Sequence, residues 1–195
     1  MKRILLVLLA CVPLAAEETV VDLNPSRTTV TFTLGDILHT VRGSFKLKRG
    51  SVHFDPDTGK AGGEIVVDVT TGNTNGDARD RRMHKDILES ARYPDATFIP
   101  DHVSGQVSPA GESRISVHGA FQLHGATHEM TLDFHVRNNG AELSAATDFI
   151  IPYVQWGLKN PSTFLLKVSD KVQMHIDASG YMQQSTAERQ LAPQK

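Results

Sequence analysis

The chain has 195 residues, a formal net charge of −2, one cysteine and no long run of like charge. That length suits one domain with a substantial core. The near-neutral, slightly acidic balance argues against a nucleic-acid partner, and no apolar stretch reaches the roughly 20 residues that a membrane-spanning helix needs.

The chain opens on Met1-Lys2-Arg3, followed by an apolar run from Ile4 to Leu14, the small pair Ala15-Ala16, and then Glu17-Glu18. A basic start, a short apolar stretch and small residues predict a secretory signal peptide over residues 1–16, cleaved after Ala16 with Ala15 as the neighbouring option. Leu8-Leu9-Ala10-Cys11 resembles a lipobox, but lipidation at Cys11 would leave only Ile4–Leu9 as the apolar stretch, against the usual ~7–15 residues. Cleavage after Ala16 takes Cys11 away, and with it thiol chemistry and disulfides. Removing 16 of 195 residues leaves 179, and losing Lys2 and Arg3 takes the formal charge from −2 to −4. The expected location is the periplasm or the exterior, with a lipoprotein anchored through Cys11 as the lesser alternative.

Beyond the leader the dominant period is two. Val30, Phe32 and Leu34 alternate with threonines. Val41, Phe45 and Leu47 share one phase, with Arg42, Ser44, Lys46 and Lys48 on the other. Ile65, Val67 and Val69 form a third run. Ile115, Val117, Phe121 and Leu123 make a fourth, Met130, Leu132, Phe134 and Val136 a fifth, and Val172, Met174 and Ile176 a sixth. Each run predicts an antiparallel strand with one apolar and one wet face. Turn residues separate them at Asp55-Pro56-Asp57-Thr58-Gly59, Pro109-Ala110-Gly111 and Asn138-Asn139-Gly140, the last predicting a type I′ hairpin. Many strands in tight succession, without helical crossovers, indicate an all-β barrel or sandwich.

One segment breaks the period. Asp77 to Ser90 places Asp77–Arg81, Arg82–Asp86 and Lys85–Glu89 at i,i+4 spacing, with Met83 and Ile87 as a narrow apolar stripe, which predicts a solvated helix ended before Pro94. Residues 17–181 are expected to form the barrel domain and 182–195 a polar, frayed tail.

Catalytic signatures are weak. The chain has no nucleophile elbow, no zincin motif and no phosphate-binding glycine loop. His124 and His128 stand four apart, but around a glycine-containing turn rather than on a helix. The remaining strand histidines, His118, His135 and His175, lie on wet phases.

Several segments in order resemble the YceI-like family: His39-Thr40-Val41-Arg42-Gly43-Ser44-Phe45, Arg79-Asp80-Arg81-Arg82-Met83-His84, Leu88-Glu89-Ser90, and Tyr93-Pro94-Asp95-Ala96-Thr97-Phe98. Gly119 to His128, Pro152-Tyr153-Val154-Gln155-Trp156-Gly157 and Val168-Ser169-Asp170-Lys171-Val172 are similar too. The resemblance implies a lipocalin-like antiparallel barrel of eight strands with one inserted α-helix, at about 77–90. It also implies an exported, non-enzymatic protein without a catalytic cofactor, holding a long-chain lipid such as an isoprenoid quinone or polyprenyl compound. Arg82 stands where the family usually has histidine, Met83 where it has leucine, and Ile87-Leu88-Glu89 where phenylalanines are usual, so the chain resembles a distinct branch.

On that implication Phe32, Phe45, Phe98, Phe121, Phe134 and Trp156 are the expected cavity lining. Arg79 and Asp80, then Asn75 and Trp156, are expected at a polar head group. Two other classes stay open: a ligand-free envelope stress or interaction module, and a secreted metal-dependent enzyme using His124, His128 and Glu129. Edge strands cannot be told from closed ones in the sequence, so homodimerisation stays open as well.

Overall fold

The computed structural model describes residues 17–35, 40–163 and 167–186. The expected signal peptide with Cys11, and residues 187–195 of the expected tail, lie outside the described residues.

The strands are β1 (Glu17–Leu23), β2 (Thr29–Gly35), β3 (Thr40–Phe54), β4 (Ala61–Asn73), β5 (Asp95–Ser104), β6 (Ala110–Leu123), β7 (Ala126–Asn139), β8 (Glu142–Ile151) and β9 (Val172–Thr186). Every pairing is antiparallel. β1 and β2 both lie between β3 and β9, so the nine segments fill eight strand positions and the sheet closes on itself. The break between them comes from Pro25, which has no N–H to give the ladder, in a 3₁₀ turn over Pro25–Arg27 capped by Asn24. The result is a lipocalin-like barrel with one short helix.

That helix, α1, spans Asp77–Arg82 and runs into a π-helical turn over Met83–Ile87. His84 anchors the turn to the barrel: one ring nitrogen meets the Gly72 carbonyl at 2.8 Å and the other the Ser90 hydroxyl at 3.0 Å. β9 reaches Thr186, because Gly180–Thr186 pairs with all of β1. Residues 182–186, expected in the frayed tail, are therefore part of the barrel wall.

The tight turns also differ from expectation. Between β7 and β8 the loop is Gly140–Ala141, with positive φ only at Gly140 (86°), the pattern of type II′ rather than I′. The I′ pattern occurs instead between β6 and β7, where His124 (52°) and Gly125 (78°) are both left-handed.

The interior divides along the barrel axis. At the end carrying the β3–β4 and β5–β6 turns, Phe54, Phe98, Val103, Val117 and Leu132 form a packed cluster. At the end carrying α1, a second cluster holds Val30, Phe32, Ile151, Tyr153, Leu158 and Met174. Phe121 and Phe149 pack against both.

β5 bulges between Pro100 and His102 where it meets β6. Gly119 makes this approach feasible, since a Cβ there would meet the Ile99 carbonyl oxygen at 2.3 Å and the Pro100 Cα at 2.8 Å. Gly119→Ala should force the strands apart and lower stability by roughly 1–3 kcal/mol, a typical overpacking cost, measurable as a drop in urea midpoint.

Candidate functional site

The α1 end of the barrel is not filled. A cavity of about 520 Å³ lies there, in the usual size range of ligand pockets. The inward phases of β2, β3 and β4 supply Val30, Phe32, Leu34, Val41, Phe45, Val67 and Val69 to its wall. β6, β8 and β9 supply Phe121, Leu123, Phe149, Ile151, Val172, Met174 and Ile176. Phe32 and Phe45 face each other with ring centroids 5.3 Å apart. Phe121 and Phe149 touch the packed cluster as well, so they form the cavity floor.

Two segments cover the other end. One is α1 with its π turn, whose Ala78, Arg79, Arg82, Met83 and Ile87 face the cavity at helical spacing. The second is the connection from β8 to β9, which brings Tyr153, Leu158, Pro161 and Val168. Its fold is fixed by the Tyr153 hydroxyl donating to the Ser169 carbonyl at 2.6 Å and by Asn160 donating to Val168. Burial pushes the Tyr153 phenol up to about 12, so it stays a donor at any physiological pH. The Arg82 guanidinium reaches across and donates to the Pro161 carbonyl at 3.2 Å. Ala78, Arg79 and Arg82 line the cavity while remaining solvent-exposed, which marks the mouth.

The sequence-derived lining residues fall into three places. Phe32, Phe45 and Phe121 line the cavity. Phe98 is buried in the packed cluster at the far end and Phe134 packs against it, so neither reaches the cavity. The alternation puts all five inward, but inward on a half-filled barrel is not the same as facing the void. Trp156 is not on the cavity surface; its ring lies 3.9 Å from His128, nearly parallel, and 5.8 Å from Phe121, so it seats the connection on β6 and β7.

The expected polar residues separate too. Arg79 lines the mouth, while Asp80 and Asn75 do not. Asp80 accepts from the Thr74 amide at 3.0 Å and from the Thr74 hydroxyl, and Arg79 donates to the same hydroxyl at 2.6 Å and to the Thr74 carbonyl at 2.8 Å. Desolvation works to raise the Asp80 carboxyl, but the Thr74 and Gly76 hydrogen bonds and the Arg79 charge outweigh it and hold it below the usual range. Asp80 thus clamps the chain entering α1. Asn75 sits in an outer polar groove with Arg42, Lys46, Thr71 and Asn73. Residues not anticipated include Arg82, Phe149, Tyr153 and Leu158.

The three residues of the metal-enzyme alternative point in different directions. His124 lies in the I′ turn against Tyr93, with Glu89 at 3.6 Å. His128 faces inward under Trp156, and Glu129 faces outward, 3.7 Å from His118. The alternation of β7 separates the last two onto opposite faces.

On the outer wall, His118 and His175 each sit between two carboxylates. His118 meets Asp101 at 2.7 Å, and His175 meets Asp148 at 2.8 Å and Asp177 at 3.1 Å. The hydrogen bond that His118 donates to Asp101, and those that His175 donates to Asp148 and Asp177, raise both histidines above the ordinary value of 6.5. A histidine raised on folding stabilises fully below its unfolded value, and that stabilisation is lost as pH climbs through the raised folded value. Thermal stability should therefore decline as pH rises from about 6.5, and the double variant His118→Gln, His175→Gln should flatten that decline in a pH series of melting curves.

A closed antiparallel barrel, packed at one end and hollow at the other, with an apolar cavity and a polar mouth, defines a lipocalin-like binding fold. The chain belongs to the YceI-like family, whose domain description matches residues 22–179. Among solved structures it is similar to Burkholderia cenocepacia BcnA, at 20% identity with a TM-score of 0.66 over 81% of this chain and 99% of that one. A polyisoprenoid binding domain from Saccharophagus degradans, implicated in plant cell wall breakdown, aligns at 16% identity and TM-score 0.62 over 86% of this chain and 98% of that one. The Campylobacter jejuni YCEI protein aligns at 17% identity and TM-score 0.59 over 74% and 86%. No curated protein matches the chain.

Proposed function

We propose that this protein is a non-enzymatic periplasmic carrier that holds the chain of an isoprenoid or similar long amphiphile in the hollow end of its barrel. The observation that carries this is the apolar cavity of about 520 Å³. Left empty, an apolar space of that size costs its lining side chains the contacts that a packed core would make. Water is a poor filler because the wall offers few polar partners. A flexible apolar chain offsets that cost at roughly 0.8 kcal/mol per buried methylene, reduced by the entropy of ordering it. The S. degradans domain, named for polyisoprenoid binding, supports an isoprenoid as the occupant. The basic and apolar leader supports export.

The test is native mass spectrometry of the exported protein purified without detergent, followed by solvent extraction. A stoichiometric added mass that extracts as an isoprenoid lipid is the expected result. A bare polypeptide mass that also fails to take up added geranylgeraniol would overturn the carrier and favour an interaction module.

A further inference from the structure

We infer that the amphiphile bound here carries an anionic head group, a carboxylate or a phosphate, held at the cavity mouth by Arg82 with Arg79 beside it. This inference rests on the cavity being a lipid site.

Arg79 and Arg82 are the only charged residues on the cavity wall among the described residues, which include no aspartate, glutamate, lysine or histidine there. The acidic residues of the covering helix, Asp77, Asp80 and Asp86, are absent from that wall. Asp80, the nearest in sequence, is turned onto Thr74. Neither arginine has a carboxylate within 4.0 Å among the described residues; Arg79 feels the Asp80 charge across the Thr74 hydroxyl they share, and Arg82 has no such neighbour among the ion pairs. Elsewhere Arg27, Arg49 and Arg137 each hold a glutamate.

Among the described residues the one hydrogen bond of Arg82, from Nη2, goes to the Pro161 carbonyl, which leaves its other donors without a partner there. That bond also fixes where the guanidinium sits, between the helix and the β8–β9 connection. Arg79 is held by two bonds to Thr74 through Nε and Nη2, which leaves Nη1 without a hydrogen-bond partner among the described residues. Two cations at the rim of a low-dielectric cavity, without a carboxylate in the wall, are matched by an anion delivered with the ligand. Charge-assisted bonds from guanidinium to carboxylate or phosphate are about twice as strong as neutral ones and are often bidentate. A neutral alcohol or quinone would accept a hydrogen bond there but leave the charge unmatched.

Matched probes test this on the full mature protein: geranylgeranyl phosphate against geranylgeraniol, and palmitate against hexadecanol, by isothermal titration at low and high salt. The expected result is at least about tenfold tighter binding of the anionic member of one or both pairs, with the difference shrinking in salt. Comparing the two pairs tells phosphate from carboxylate. Arg82→Gln should remove most of that preference, weakening the anionic member of a pair far more than its alcohol, while Arg82→Lys should keep part of it. Equal affinity within both pairs, or a preference untouched by Arg82→Gln and by Arg79→Gln, Arg82→Gln together, would overturn the head-group assignment while the carrier stands. Failure of all four probes to bind would instead remove the carrier reading and this inference with it.

Discussion

Phe98→Ala is expected to lower unfolding free energy by about 3–5 kcal/mol, the usual cost of deleting a large ring from a packed core, whereas Phe45→Ala should lose no more than about half as much. The sequence gives the two phenylalanines the same inward phase, but their surroundings differ. Phe98 is 5% exposed and lies among Phe54, Val117 and Leu132, opposite Phe121 and Ile65 on the neighbouring strands. Its removal opens a cavity where none exists. Phe45 is half-buried on the wall of a cavity already present, so truncation enlarges a void and forfeits mainly the contact with Phe32. Against a typical total of about 5–15 kcal/mol the first loss is severe. Urea titrations of the two variants, freed of lipid, measure the difference directly. Equal losses would mean that both ends of the barrel are packed alike.

Phe45→Asp should abolish lipid retention, with affinity for geranylgeraniol falling at least about a hundredfold, while the barrel persists. A carboxylate on the wall must either stay charged beside the ligand chain or take up a proton, and both cost free energy that the bound chain cannot return. The packed end supplies a separate core, so far-UV circular dichroism should be unchanged. The mass of the purified variant, with and without added lipid, reads the first effect. Undiminished lipid content would place the ligand elsewhere.

Much of the barrel was legible because its strands carry one apolar phase. The alternation around Phe32, Phe45, Val67, Val117, Leu132 and Met174 identified β2, β3, β4, β6, β7 and β9. β5 and β8 were not identified from periodicity, for physical reasons. In β5 the bulge at Asp101 shifts the phase midway, and Pro100 interrupts the pattern. In β8 the inward positions include a fully buried Thr147, and Ala146 and the exposed Ile150 put apolar residues on the outer phase. The helix was legible from its i,i+4 charge pairs, although its second half is a π turn, which places Met83 and Ile87 over the cavity.

The site was less legible than the fold. Period two says which residues face inward, but which half of a bore is empty depends on how side chains from eight positions add up across it. That sum divided Phe32, Phe45 and Phe121 from Phe98 and Phe134. The β8–β9 connection contributes Tyr153, Leu158 and Pro161 through a fold without periodicity, so composition gave no signal for them. Asp80 is bonded to Thr74 and is not on the cavity wall, and a charged pair at a helix start looks the same in sequence whether it faces a ligand or a neighbouring threonine.

The pairing of β1 with β9 has a consequence for the order in which the molecule comes together. Glu17–Leu23 pairs on one side with β3 and on the other with Gly180–Thr186, so the β1–β9 seam is sewn by the earliest and latest parts of the barrel to be synthesised. Until the final segment arrives, the β9 side of β1 and β2 stays an open edge, prone to pair with other chains. Contacts so distant in sequence form slowly. The barrel therefore ripens as a whole after synthesis rather than piece by piece during it, and a chain ending before Gly180 would leave β1 without that partner.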